Sequence, residues 1–142
     1  MSKNVFLCYN LNGDKMITVV ASLIKKDGKV LIAKRSTGKS AYGKWEFPGG
    51  KVEPNETEEC AIEREIKEEF DVIIKAKEFI TNNICETPER TIDLRLYECE
   101  YISGEFNLHD HFCYEWVDID KLFEYDLALA DIPLAKYVKE NI

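Results

Sequence analysis

The sequence predicts an α/β domain of the α+β kind: a mixed β-sheet sandwiched between α-helices. Three observations lead there. The elements run strands, helix, strands, helix, an order that disfavours a doubly wound parallel sheet. The first long strand carries apolar residues on both faces, as a strand does when it is covered on two sides. A strongly amphipathic stretch near the middle of the chain has the four-residue spacing of a helix. The 142 residues suit one domain, which at this size buries about two-thirds of its surface on folding without needing disulfides. No repeat, linker or low-complexity tract interrupts the chain, so residues 1–142 are read as a single domain, with 1–15 as an N-terminal extension.

Residues 16–35 read as a β-hairpin. Val19, Val20, Leu23, Ile24, Val30, Leu31 and Ile32 are strand formers, and Asp27-Gly28 is a turn pair that tolerates positive φ at both positions. A polar loop, 36–44, leads to a short strand at Trp45-Glu46-Phe47, stopped by Pro48-Gly49-Gly50. Paired glycines allow the backbone a close approach that other residues forbid. Thr57 is an expected N-cap for a helix to Phe70, with Glu58 and Glu59 in its first turn and Ile62, Ile66 and Phe70 as its apolar stripe. Strands are expected next at 72–80 and 91–101. In the second, Ile92, Leu94 and Leu96 share one face, and Tyr97, Cys99 and Tyr101 the other. Ser103-Gly104 ends it, and Tyr114–Val117 reads as one more short strand. Asp118 is an expected cap for a short helix to Phe123, and Asp131 for the last helix, with Pro133 in its first turn.

Charge narrows the function. Nineteen basic against 27 acidic residues give a net charge of −8, which argues against a nucleic acid polymer or an anionic membrane as partner. No apolar run is long enough to span a bilayer, and the N-terminus lacks a signal-peptide pattern. The five cysteines are dispersed, odd in number and without C-x-x-C spacing, which fits thiols in a reducing cytoplasm better than disulfides or a zinc site.

The segment richest in chemistry is Arg64-Glu65-Ile66-Lys67-Glu68-Glu69. At roughly 100° per residue, Glu65, Glu68 and Glu69 fall on one helical face within one turn. Such crowding destabilises an isolated helix but becomes favourable around a hard divalent cation, and Mg²⁺ prefers oxygen ligands and often binds with a phosphate substrate. A Glu-rich face taken alone is more often an ordinary solvated one. Here a Gly-Gly turn precedes the helix and could bring backbone oxygens to the same ion.

Gly50, five residues, Glu56, seven residues, then Arg64-Glu65-Ile66-Lys67-Glu68-Glu69-Phe70-Asp71-Val72 resembles the Nudix box, G-x5-E-x7-R-E-U-x-E-E-x-G-U with U a bulky aliphatic. Asp71 stands where the family has glycine, at a helix exit where the left-handed region is used and Asp enters it at moderate cost. The resemblance extends to Trp45–Glu53, similar to the lead-in of MutT-type members. It also takes in Asp110-His111 before Glu115-Trp116-Val117, and Leu129-Ala130-Asp131-Ile132-Pro133-Leu134. The last stretch is similar to the branch that hydrolyses CTP or oxidised nucleotides. Residues 1–15 have no counterpart.

That resemblance implies the Nudix fold. It implies Mg²⁺-dependent hydrolysis of a nucleoside triphosphate, CTP-like or an oxidised purine such as 8-oxo-dGTP, to nucleoside monophosphate and pyrophosphate, with Mn²⁺ as a substitute metal. It also implies roles for individual residues. Glu65 and Glu69 lead as metal ligands, Glu68 is a third ligand or the carboxylate that orients water, and the Gly50 carbonyl completes the set. Arg64 pairs with box acids such as Glu56. Asp110 is a late metal-binding or basic carboxylate, or else a solvated loop residue beside His109 and His111. Arg35, Lys51 and, more weakly, Arg90 are the cations for the triphosphate. Asp131 selects a base edge bearing donors or caps its helix. Phe47 contacts the base or fills the core. The expected partner is a small nucleotide, the expected state a cytoplasmic monomer or homodimer. The alternatives are another Nudix substrate, such as an ADP-sugar or dinucleoside polyphosphate, and a Nudix domain that binds without turnover.

Overall fold

The computed structural model describes residues 8–9, 15–38 and 41–142; most of the expected extension, 1–15, lies outside them. The hairpin forms as expected. Strand β2 (Lys15–Lys26) turns into β3 (Lys29–Arg35) through Asp27 and Gly28, at φ 52° and 76°, the left-handed pair that a two-residue hairpin turn requires. The two strands pair only beside the turn, at Lys25–Val30 and Lys26–Lys29. Beyond it they splay. β3 goes on to pair with β4 (Trp45–Glu46) and β8 (His111–Val117), while β2 pairs with β1 (Cys8–Tyr9), β5 (Gly49–Lys51) and β7 (Thr91–Ser103). β6 (Ile73–Glu86) continues the sheet outside β7. The β2–β7 pairing is parallel and the others are antiparallel, so the sheet is mixed.

Alternation along β2 and β3 divides the core between two faces. Val20, Ile24, Leu31 and Ala33 pack with Ile62, Ile66 and Phe70 of helix α1 (Glu58–Phe70). Ala21, Leu23, Val30 and Ile32 pack with Leu134, Ala135 and Val138 of helix α2 (Ile132–Asn141). Ile62, Ile66 and Phe70 are fully buried, each contributing about 1.5–3 kcal/mol by area. β7 divides as its pattern predicted, with Leu94 and Leu96 toward α2 and Tyr97 and Cys99 toward α1.

Several boundaries differ from the sequence reading. β6 runs on to Glu86 because Thr81, Asn82 and Asn83 keep their register with β7, although their polarity reads as a loop. β8 starts at His111 rather than Tyr114. The turn after Asp118 is a 3₁₀ helix, Ile119–Glu124, and Asp118 does not cap it; its carboxylate takes Lys29 Nζ at 3.2 Å. Among the described residues no helix is long and apolar enough to cross a membrane.

Candidate active site

Thr57 caps α1 as expected, its hydroxyl accepting the Cys60 N–H at 3.1 Å. The helix leaves through Asp71 at φ 61°, ψ 25°, with its N–H on the Lys67 carbonyl. This is the left-handed exit that the box glycine serves in the family. With its stripe locked in the core, α1 holds Glu65 and Glu69 against the β5 turn. That turn is built on two close approaches. A Cβ on Gly49 would lie 1.8 Å from the Val20 carbonyl oxygen, and one on Gly50 would lie 2.2 Å from the carboxyl carbon of Glu65. Gly49 therefore lets β5 reach β2, and Gly50 makes room for a carboxylate.

A cleft of about 550 Å³ opens over this turn. Glu65, Glu69, Gly50 and Asp110 line it, as do Phe47, Ile92, Leu94 and Asp131. Arg35, Lys51 and Arg90 also reach it. Of the residues expected to touch metal or substrate, only Glu68 is missing from the lining: its side chain is 60% exposed, with its oxygen 3.2 Å from Arg64 Nη1. Arg64 organises the box acids. It holds Glu56 by two bonds of 2.7 and 3.0 Å, Glu65 at 3.3 Å, and the Lys51 carbonyl at 3.1 Å. The Arg64 bond keeps the Glu56 carboxyl below its ordinary pKa.

Glu69 is the most strained electrostatically. It is only 9% exposed, and its Oε1 has no hydrogen-bond partner. Burial, then the charges of Glu46, Glu65 and Asp110, push its pKa up to about 9 against the pull of Arg35. Glu65 is raised too, chiefly by burial, with Arg64 opposing. A buried carboxylate with an orphaned oxygen among like charges is costly unless a cation joins it. The donor set is all oxygen, as Mg²⁺ requires, and the missing Cβ of Gly50 leaves the Glu65 carboxylate room against the turn. These residues therefore fit a hard divalent ion in chemistry and charge, although among the described residues no three acidic, His or Cys side chains are already gathered for ligation.

Asp131, also in the lining, occupies the N-cap position of α2 without capping it. Its Oδ2 instead accepts the Phe47 N–H at 2.8 Å. It is 5% exposed, and burial, reinforced by Glu46, raises its pKa to about 8. Phe47 is both core and wall: 3% exposed, packed toward α2, and facing the cleft.

Two residues named in the sequence but given no role there, Glu46 and His111, pair with each other at the site. Glu46 lies in the cleft wall with Arg35 Nη1 at 3.3 Å and His111 Nε2 at 2.9 Å. His111 is buried and stacked on Phe70. The available signal was a lone carboxylate between two aromatics in Trp45-Glu46-Phe47; its partner is 65 residues away. His109 goes elsewhere, to Asp71 at 3.1 Å, so the two histidines take different partners.

The family model for the NUDIX domain matches residues 14–138. The chain belongs to the Nudix family. This Nudix hydrolase is 38% identical over 120 residues to the CTP pyrophosphohydrolase of Escherichia coli strain K12, covering 84% of this chain and 89% of that one. It is 34% identical over 115 residues to the putative 8-oxo-dGTP diphosphatase 2 of Mycobacterium tuberculosis strain CDC 1551 / Oshkosh, covering 80% and 81%. The solution structure of the E. coli ORF135 protein superposes with a TM-score of 0.83 at 36% identity, covering 92% of this chain and 94% of that one. Solved MutT proteins share the fold as well, which makes this a MutT-type Nudix enzyme. Nudix hydrolases generally need a divalent metal, in keeping with the carboxylates around Glu69.

Proposed function

We propose that this Nudix hydrolase is a cytoplasmic nucleoside-triphosphate pyrophosphohydrolase that acts with Mg²⁺ on cytosine or oxidised-purine nucleotides and releases nucleoside monophosphate and pyrophosphate. One observation carries the reading. A single cleft is lined at once by the box acids Glu65 and Glu69, by the cations Arg35, Lys51 and Arg90, and by the buried acceptor Asp131. Those are the groups needed for a divalent ion, a polyphosphate and a base. The names of the E. coli and M. tuberculosis relatives support the same substrate classes.

Glu65, Glu69, the Gly50 carbonyl and Asp110 are the groups assigned to hold the ion. Glu68 stays in the set as the third acid of the same turn; it is the one solvent reaches, which suits a ligand or a carboxylate that orients water. Bound there, a divalent ion neutralises phosphate oxygens and lowers the pKa of its water. Arg64 fixes Glu56 and Glu65 and so keeps the acidic face in register with the glycine turn. Arg35, Lys51 and Arg90 bring positive charge to the triphosphate, with Arg35 oriented by Glu46. Asp131 accepts from a base donor, such as the cytosine amino group or the N1–H and 2-amino group of a guanine, and Phe47 walls the base on its apolar side.

The test is a pyrophosphate-release screen over normal, methylated and oxidised NTPs and dNTPs with Mg²⁺ and with Mn²⁺. The reading expects release that depends on the ion and favours cytosine or oxidised guanine. Hydrolysis of an ADP-sugar or a dinucleoside polyphosphate, with every triphosphate untouched, overturns it.

A further inference from the structure

The chain departs from the box pattern at one fixed position, Asp71, and the side chain added there makes contacts that a glycine could not. Asp71 Oδ2 lies 3.1 Å from His109 Nε2. The backbone joins at the same place: Asn107 N–H donates to the Phe70 carbonyl at 2.9 Å. Gly104 packs so closely that a Cβ there would sit 2.9 Å from the Asp71 carbonyl oxygen. The segment so tied, 104–109, delivers Asp110 into the cleft. On the far side of Asp110, His111 is fixed to Glu46 at 2.9 Å, and the Asp110 carbonyl accepts the Ser36 N–H at 3.0 Å. Asp110 is thus held between two histidine anchors, one on the exit of α1 and one in the cleft wall.

We propose that Asp71 and His109 form a clasp that sets Asp110 against the acids of α1, making Asp71 a positioning residue for the reaction as well as a helix terminus. The proposal rests on the reading of Asp110 as a site acid. A glycine at 71 ends the helix cheaply but has no side chain to hold His109. Asp accepts a left-handed backbone at some cost and returns a tether to the loop that carries the late acid. His109 donates from Nε2 whether its ring is neutral in that tautomer or charged.

Glycine and asparagine both tolerate the left-handed exit, and only asparagine retains an acceptor, so Asp71→Gly and Asp71→Asn separate the clasp from the cap. The measurements are kcat/KM for CTP at saturating Mg²⁺ and amide exchange across 104–110. Asp71→Gly is expected to keep or raise Tm, lower kcat/KM about two- to fivefold, the range an exposed hydrogen-bonded pair spans, and speed exchange in the loop. Asp71→Asn should restore most of both. His109→Ala should match Asp71→Gly in kcat/KM and loop exchange, the double variant should lose no more of either than one single, and Asp71→Gly should cost nothing further in an Asp110→Asn background. Unchanged exchange and kcat/KM in Asp71→Gly, or losses that multiply in the double variant, overturn the clasp. A fully active Asp110→Asn would instead place the fault in the functional reading of Asp110. An impaired Asp110→Asn beside an unimpaired Asp71→Gly would place it in the clasp.

Discussion

Adding one methyl group at each of the two adjacent glycines should give opposite failures. At Gly50 the new Cβ meets the Glu65 carboxylate, with the carboxyl carbon at 2.2 Å and the oxygens at 2.3 and 2.6 Å. That carboxylate is the far end of a flexible side chain, so it can swing away. Relief to ordinary contact takes a shift of roughly 1 Å or more, at an off-rotamer cost of about 0.5–1.5 kcal/mol. A 1 Å misplacement in a site can cost about a hundredfold in rate. Gly50→Ala should therefore stay folded, with Tm down by only a few degrees, while metal affinity falls and kcat/KM drops on the order of a hundredfold. At Gly49 the obstacle is the Val20 carbonyl oxygen at 1.8 Å and the Ala21 Cα at 2.9 Å. That backbone lies in the centre of β2 and cannot step aside without breaking the Val19–Lys51 and Ala21–Gly49 register and the Ser22–Pro48 bonds. Gly49→Ala should fail in the fold itself. Thermal melts and Mg²⁺-dependent kinetics on the two variants decide. A stable Gly49→Ala, or a Gly50→Ala with wild-type kinetics, disproves this picture of the turn.

Other consequences come from the buried carboxylates. Glu69→Gln keeps volume and removes charge, so turnover should fall by orders of magnitude while the metal-free protein melts higher; near-normal turnover at saturating Mg²⁺ would strike Glu69 from the ligands. Asp131→Ala leaves a base donor unpaired at about 1–3 kcal/mol, roughly ten- to a hundredfold in kcat/KM. The loss should be larger for cytosine or guanine nucleotides than for uracil. Because Asp131 makes no cap bond, Asp131→Asn should change base preference more than stability, and unchanged relative rates across bases would defeat the base-recognition role. In the free protein burial holds the Glu69 and Asp131 carboxyls protonated up to about pH 9 and 8, a proton each gives up when a cation or a base donor joins it, whereas in the unfolded chain they lose it near pH 4. The folded state then holds more protons across that window, so metal-free stability should fall as pH rises through it. Melts at pH 5, 7 and 9 check the sign: Tm should decline and Glu69→Gln should flatten the decline, whereas a Tm that rises to pH 8 contradicts the burial argument.

Local signals carried most of the fold. The Asp27-Gly28 turn, the Thr57 cap and the Ile62–Ile66–Phe70 stripe each depend on residues within a few positions, and each forms as expected. The two-sided core was visible as apolar residues on both faces of the first strand. What stayed hidden was set by partners distant in sequence. Thr81, Asn82 and Asn83 are strand only because β7 pairs with them. Asp131 has the sequence of an N-cap, yet its carboxylate turns to an N–H 84 residues away. Glu46 gives no periodic signal, and its role in the cleft comes from His111 and Arg35 arriving from other strands. Glu68 shares a helical face with Glu65 and Glu69 by arithmetic, but only the latter two line the cleft, because that face is wide enough to span both wall and solvent.

Pyrophosphohydrolysis of a nucleoside triphosphate is best decided by separating the first products of CTP digestion on an ion-exchange column, with and without Mg²⁺. CMP and pyrophosphate should appear in equal amounts from the earliest time points, and neither should appear after chelation. CDP and orthophosphate as first products would contradict a pyrophosphohydrolase.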